Sequence, residues 1–97
     1  MALTSVIQAM ASNPSYLSTS PNPPTILLEK STPHGGKFWK ALTHPNGLDL
    51  QWGRLNTTGQ GRTLLLSKCA QGNPVQEMME RALAKIHEGY VLCWVTF

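Results

Sequence analysis

Charge is scarce in this sequence. Asp, Glu, Lys and Arg together make up 13 % of its 97 residues, about half the usual share. Low charge alone does not imply disorder, because the formal net charge is also small, at +3. Acidic residues are the scarcer kind, five against eight basic ones. No pair of carboxylates lies outside the segment read below as a helix, and no serine sits in a nucleophile elbow. Acid–base and serine hydrolysis therefore lack their usual equipment. Cysteine is rarer still. Cys69 and Cys93 lie 24 residues apart with no C-x-x-C spacing, and His34, His44 and His87 fall at no ligand-like interval. A zinc site and a disulfide framework are both unsupported, and the thiols read as reduced, in an intracellular protein. No apolar run approaches the roughly 18 residues of a spanning helix. The opening "MALTSVIQAMAS" lacks the basic region of a secretory signal and the arginines of a transit peptide. The expectation is a soluble cytoplasmic chain that spans no membrane, carries no metal or cofactor and is not an enzyme.

What charge there is lies unevenly. Up to residue 68, Lys30, Lys37, Lys40, Arg54, Arg62 and Lys68 stand against Glu29 and Asp49, a balance of +4. Beyond it, Arg81 and Lys85 stand against Glu77, Glu80 and Glu88, a balance of −1. The positive charge belongs to one part of the fold, the pattern an anionic partner would select.

Residues 1–24 read as a flexible tail, since "SNPSYLSTSPNPP" carries four prolines among serines and asparagines. Within it, Val6, Ile7 and Met10 would share a face of a short helix that is marginal on its own. Residues 25–97 read as one domain. "TILLE", "KFWKAL", "LDLQWGR", "TLLLSK" and "YVLCWVTF" read as strands. "THPNG" between the second and third carries the hairpin signal Asn46-Gly47. A single helix is predicted between the fourth and fifth strands. Asn73 is its N-cap, Pro74 its first residue, Gln76 a capping-box partner and Gly89 its stop. Val75, Met78, Met79, Ala82, Leu83 and Ile86 form one apolar stripe. The methionines are core, and the fold class is α+β: an antiparallel sheet of about five strands packed against one amphipathic helix.

The stretch "DLQWGRLNTTGQGRT" holds the functional question. Its glycines lack the spacing, the Lys-Ser/Thr pair and the following helix of a P-loop, and the third glycine of a dinucleotide fingerprint. Read plainly, "GQG" is a hairpin loop whose glycines supply positive φ. Trp52 has two readings. Alternation with Leu48 and Leu50 puts it in the core. Gly53, by marking a bulge or a close backbone approach, could turn it outward. Arg54 continues the same parity, yet a guanidinium does not bury unpaired, so it belongs at the strand's exit. Lys37, Lys40, Arg62 and Lys68 lie on adjoining strands. Cations with interleaved tryptophans suit a phosphate backbone, while any one lysine alone suits a solvated rim. Cys69 follows Lys68, which would lower its pKa, but no histidine neighbours it in sequence to make a catalytic pair.

Several motifs in order resemble a family. Trp52-Gly53-Arg54-Leu55 with Gly59 and Gln60, the preceding "ILLEK" and "KFWKAL" strands, and the closing Lys85, Gly89 and Tyr90 resemble a WGR domain. That module is found in DNA-dependent poly(ADP-ribose) polymerases and in assorted bacterial proteins. The likeness covers roughly residues 25–92. Two positions depart from it. Asn56 stands where the family usually has glycine, and Gly35-Gly36 where the polymerases have a DNA-touching asparagine. The resemblance implies a sheet backed by one helix and no catalysis. It implies that Trp52 stacks at the end of a DNA strand near a break and that Arg54 bridges. The expected site is therefore Trp52, Gly53, Arg54, Lys37, Lys40, Arg62 and Lys68, with nucleic acid as partner, DNA before RNA. The alternative is a protein-interaction module that keeps the fold without the DNA task.

Overall fold

A computed structural model describes residues 24–96 of the chain. The expected tail helix around Val6, Ile7 and Met10 lies outside the described residues. Five strands form one antiparallel sheet: β1 (Thr25–Thr32), β2 (Gly35–His44), β3 (Gly47–Arg54), β4 (Gln60–Leu65) and β5 (Val91–Thr96). Their spatial order is β4-β3-β2-β1-β5. Two short 3-10 turns, Leu66–Lys68 and Ala70–Gly72, lead into the helix α1 (Pro74–His87). The α+β architecture expected from the sequence is the one observed.

Alternation on each strand builds the core. Ile26 and Leu28 of β1, Trp39 and Ala41 of β2, Leu48 and Leu50 of β3, and Leu64 of β4 all turn to one face. There they meet Val75, Met78, Met79 and Ala82 of α1 in a single buried cluster. Leu83 and Ile86 pack against its margin. The helix ends are closed as the sequence suggests. The Asn73 side chain accepts from the backbone N–H groups of Val75 and Gln76. At the other end Gly89 takes φ 104°, its N–H bonds the carbonyl of Ile86, and Tyr90 N–H reaches back to that of Lys85. That pair of bonds is a Schellman closure. Gln76 does not complete a capping box: the Asn73 N–H donates to the Ala70 carbonyl, and the Gln76 amide donates to Glu80 Oε2. The nearby Ala70 N–H is taken up by Glu77 Oε1 at 2.8 Å. Asn73→Ala removes the acceptor for two part-buried helix donors, and a loss of about 1 kcal/mol is expected in urea denaturation.

Three local expectations change. The β2–β3 turn is formed by Pro45 and Asn46, since His44 pairs with Gly47, and Asn46 does not take positive φ. Gly47 is needed for another reason: a Cβ there would collide with the Leu64 carbonyl on β4. The fourth strand starts at Gln60 and ends at Leu65, so Lys68 stands on a 3-10 turn and on no strand. Finally, β2 and β3 stay in register through Gly53, so no bulge occurs there. The sheet's irregularity lies on the other side, where the β1–β5 register shifts between Leu27 and Leu28 and leaves Cys93 without a partner.

Candidate nucleic-acid interface

With the register unbroken, Leu48, Leu50, Trp52 and Arg54 all face the side that α1 covers. Trp52 lies opposite Trp39 on β2 and Gln60 on β4. The two indoles differ in depth. Trp39 is 4 % exposed, whereas Trp52 is half-buried and packs on the margin of the core cluster. Neither sequence reading of Trp52 holds alone: the ring is seated against the core on its inner side and reaches solvent on the other.

Gly53 and Gly59 explain the rest of the motif. A Cβ on Gly53 would lie 2.7 Å from Gly59 Cα, and one on Gly59 would strike the Trp52 carbonyl. The loop between β3 and β4 therefore folds flat over the sheet and covers Phe38. Of the two roles a strand glycine can have, Gly53 takes close approach. Asn56 stands at φ 65°, a left-handed position that asparagine tolerates. Gln51 holds the loop by donating to the Thr58 carbonyl at 2.6 Å, and Thr57 Oγ1 donates to that of Arg54 at 2.7 Å. Leu55 packs at Gly36, where a Cβ would occupy the space of its side chain. Gly36 thus accommodates the apolar residue that follows the tripeptide.

One step beyond Trp52, Arg54 faces Lys37, and Lys37 faces Lys30. Three cations stand in one cross-strand row, although like charges directly opposite one another destabilise a sheet. Lys30 has local compensation. Its Nζ donates to the Glu88 carbonyl at 2.7 Å and lies 5.9 Å from the Tyr90 ring centre. The carbonyl belongs to the negative end of the helix dipole. Lys37 and Arg54 have none. Both are exposed and, among the described residues, make no side-chain hydrogen bond or ion pair. Among the described residues the ion pairs are Arg81–Glu77 and Lys85–Glu88, and His44 Nε2 lies within hydrogen-bond distance of Asp49. Arg62 faces the same side, opposite Leu50 and diagonal to Trp52, and is exposed.

The structure thus places Lys37, Trp52, Arg54 and Arg62 on one face of the sheet, with Gly53 next to the loop that follows β3. Lys40 and Lys68 do not join that surface. Lys40 lies between Trp39 and Ala41, so it faces the opposite side, its Nζ 5.9 Å from the Trp94 ring centre. Lys68 sits beside the β2–β3 turn, where Leu66 N–H bonds the Asn46 carbonyl, at the end of the sheet away from Arg54. Lys30 is the member that sequence reasoning passed over. The two-residue turn Pro33-His34 was the available signal, since it fixes Lys30 opposite Lys37.

The thiols also differ from expectation. Burial pushes the Cys69 pKa up, and Glu77 adds to the rise against a smaller opposing effect of Arg81. Lys68 is not among the groups that move it, so the lowering expected from that neighbour is reversed, and the absence of a catalytic pairing is unaffected. Burial likewise raises the Cys93 thiol, with Glu29 adding. Cys69 is buried and Cys93 exposed. A thiol reagent is expected to modify one cysteine in the native protein, Cys93, and the second only on unfolding.

Among the described residues two layers, an antiparallel sheet and one helix on one of its faces, define a small α+β module with a basic, tryptophan-bearing rim. Comparison of the chain with protein-family models, with curated proteins and with solved structures finds no match. Among the described residues no helix is long and apolar enough to cross a membrane.

Proposed function

We propose that this protein is a non-catalytic nucleic-acid-binding module of the WGR type, which meets DNA ends or breaks with the Lys37–Trp52–Arg54–Arg62 rim of its sheet. The observation that carries the reading is the Lys37–Arg54 pair: two exposed, unpaired cations held directly opposite each other beside a half-buried indole. Folding alone gains nothing from that juxtaposition. A polyanion turns it into an asset, because each neutralised phosphate releases counterions. Trp52 supplies the sequence-tolerant contact, a ring face anchored in the core and presented to a terminal sugar or base. Chemistry requires no metal or cofactor in this reading. Neither thiol has the depressed pKa of a nucleophile, and Glu77 is engaged by Arg81 and Ala70.

Fluorescence anisotropy with nicked, blunt-ended, closed and single-stranded DNA, and with RNA of matched length, tests the proposal. DNA with an end or nick is expected to bind more tightly than closed duplex. Trp52→Ala is expected to weaken that binding by about 5–150-fold, from roughly 1–3 kcal/mol of stacking. Equal affinity for open and closed DNA, or a Trp52→Ala variant that is folded and binds unchanged, would refute it. A second reading, a module that contacts another protein, draws on a separate feature, the apolar outer face of the sheet.

A further inference from the structure

The sheet has two faces and α1 covers one. On the other stand Leu27, Lys40 and Gln51 in one cross-strand row, extended by Trp94 of β5. Leu42, Asp49 and Thr63 stand in the next. This face carries four of the five exposed large apolar side chains of the described residues; the fifth, Leu66, stands on a 3-10 turn. Leu42 is 39 % exposed, Trp94 40 %, Leu65 61 % and Val91 63 %, and alternation sends all of them outward. An open depression of about 510 Å³ lies across it, lined in part by Lys40, Leu42, Gln51 and Thr63. Contiguous apolar surface of this kind marks an interaction site.

The arrangement of charge on this face suits a second copy of it. Its ionised groups include Lys40, Glu29 and Asp49, and Lys40 and Asp49 stand on diagonal positions of β2 and β3, so a two-fold axis between them sets each Lys40 against the partner's Asp49. Thr63 Oγ1 and His44 Nε2 both bond Asp49 Oδ1, at 2.7 and 3.2 Å, which keeps that carboxylate ionised and in place. Lys37, Arg54, Arg62 and Lys30 all point the other way. Size agrees: five strands at about 4.8 Å spacing and some six residues at about 3.4 Å give roughly 500 Å² per copy. The total of about 1,000 Å² reaches the lower bound of a specific interface.

We infer that this face binds a second copy of the chain, sheet against sheet about a two-fold axis, so that each Lys40 meets the partner's acidic groups. The inference goes beyond the proposed function and does not need it. If both hold, the dimer presents two Trp52 rims on opposite sides, the arrangement that joins two DNA ends. Sedimentation velocity of the full chain tests it without DNA. A monomer–dimer equilibrium with Kd of about 10–100 µM is expected for an interface of this size. Leu42→Glu and Trp94→Glu change exposed positions and are expected to give folded monomers, with thermal unfolding as the check. Lys40→Glu is expected to weaken the dimer about tenfold, because it leaves the face with acidic groups alone. A wild-type monomer up to about 1 mM, well above such a Kd, would overturn the inference. Acrylamide quenching of the monomer, compared with Trp94→Phe, would then reassign the face. A shielded Trp94 would point to residues 1–23 of the same chain, and a free one to a different protein. A wild-type dimer that survives Leu42→Glu and Trp94→Glu would also overturn it.

Discussion

Trp39→Ala is expected to cost about 3–5 kcal/mol, while the same change at its cross-strand neighbour Trp52 costs about 1–2 kcal/mol and leaves a folded protein. The two rings face each other across β2 and β3 and have the same chemistry, so the difference is one of position. Trp39 is inside the cluster formed by Leu28, Ala41 and the helix methionines. Removing it leaves a cavity that the surrounding sheet cannot close, because each neighbour is held by its own strand register. Trp52 lies at the margin, and water replaces part of what its side chain leaves behind. Chemical denaturation of both variants, with constant m-values, measures the contrast. Equal losses would mean that Trp52 is a core residue and that its exposed part carries no function.

Lys37→Glu is expected to move stability and binding in opposite directions. In the free protein it places a carboxylate between Arg54 and Lys30, replacing two repulsions with two attractions, for a gain of about 0.5–1 kcal/mol. Toward DNA it removes a phosphate contact and adds a repulsion, for a loss of roughly 10–100-fold at low salt, the equivalent of a charge-assisted hydrogen bond. A solvated rim would show the first effect without the second. Arg54→Glu should behave alike, and the double variant should bind no more tightly than the weaker single one. The combination of a more stable protein with a weaker complex is the signature of a surface kept for a ligand.

The sequence made much of this fold legible because its signals were local and agreed with one another. Asn73-Pro74 and Gly89 bracket a stripe of period 3.6, and the helix lies where they place it. The strands were also visible, but their ends were not. "TLLLSK" reads as one strand, yet Leu66–Lys68 turns away because Leu66 N–H finds the Asn46 carbonyl across the β2–β3 turn. That contact is set by tertiary structure, not by the residues' own propensities. The site was legible in kind but not in arrangement. Trp52, Arg54, Lys37 and Arg62 were identified by type, whereas their common face, and the exclusion of Lys40 from it, depend on register. Register in turn depends on the Pro33-His34 and Pro45-Asn46 turns. Gly53 reads as a bulge or a close approach and Gly59 as a positive-φ loop residue, yet their role is mutual: each makes room for the other's backbone. A bulge and a close approach leave the same mark in a single sequence.

An unpaired Lys37–Arg54 row that binds phosphate makes DNA affinity depend on salt, and that dependence is the most direct test. Binding of a nicked duplex by the wild type and by Arg54→Gln should be followed from about 50 to 200 mM salt. Wild type is expected to show a log–log slope of about −2 to −4, and Arg54→Gln a slope shallower by about 0.9, one phosphate contact fewer. An affinity indifferent to salt, no binding at the lowest salt, or an Arg54→Gln slope equal to that of wild type would contradict it.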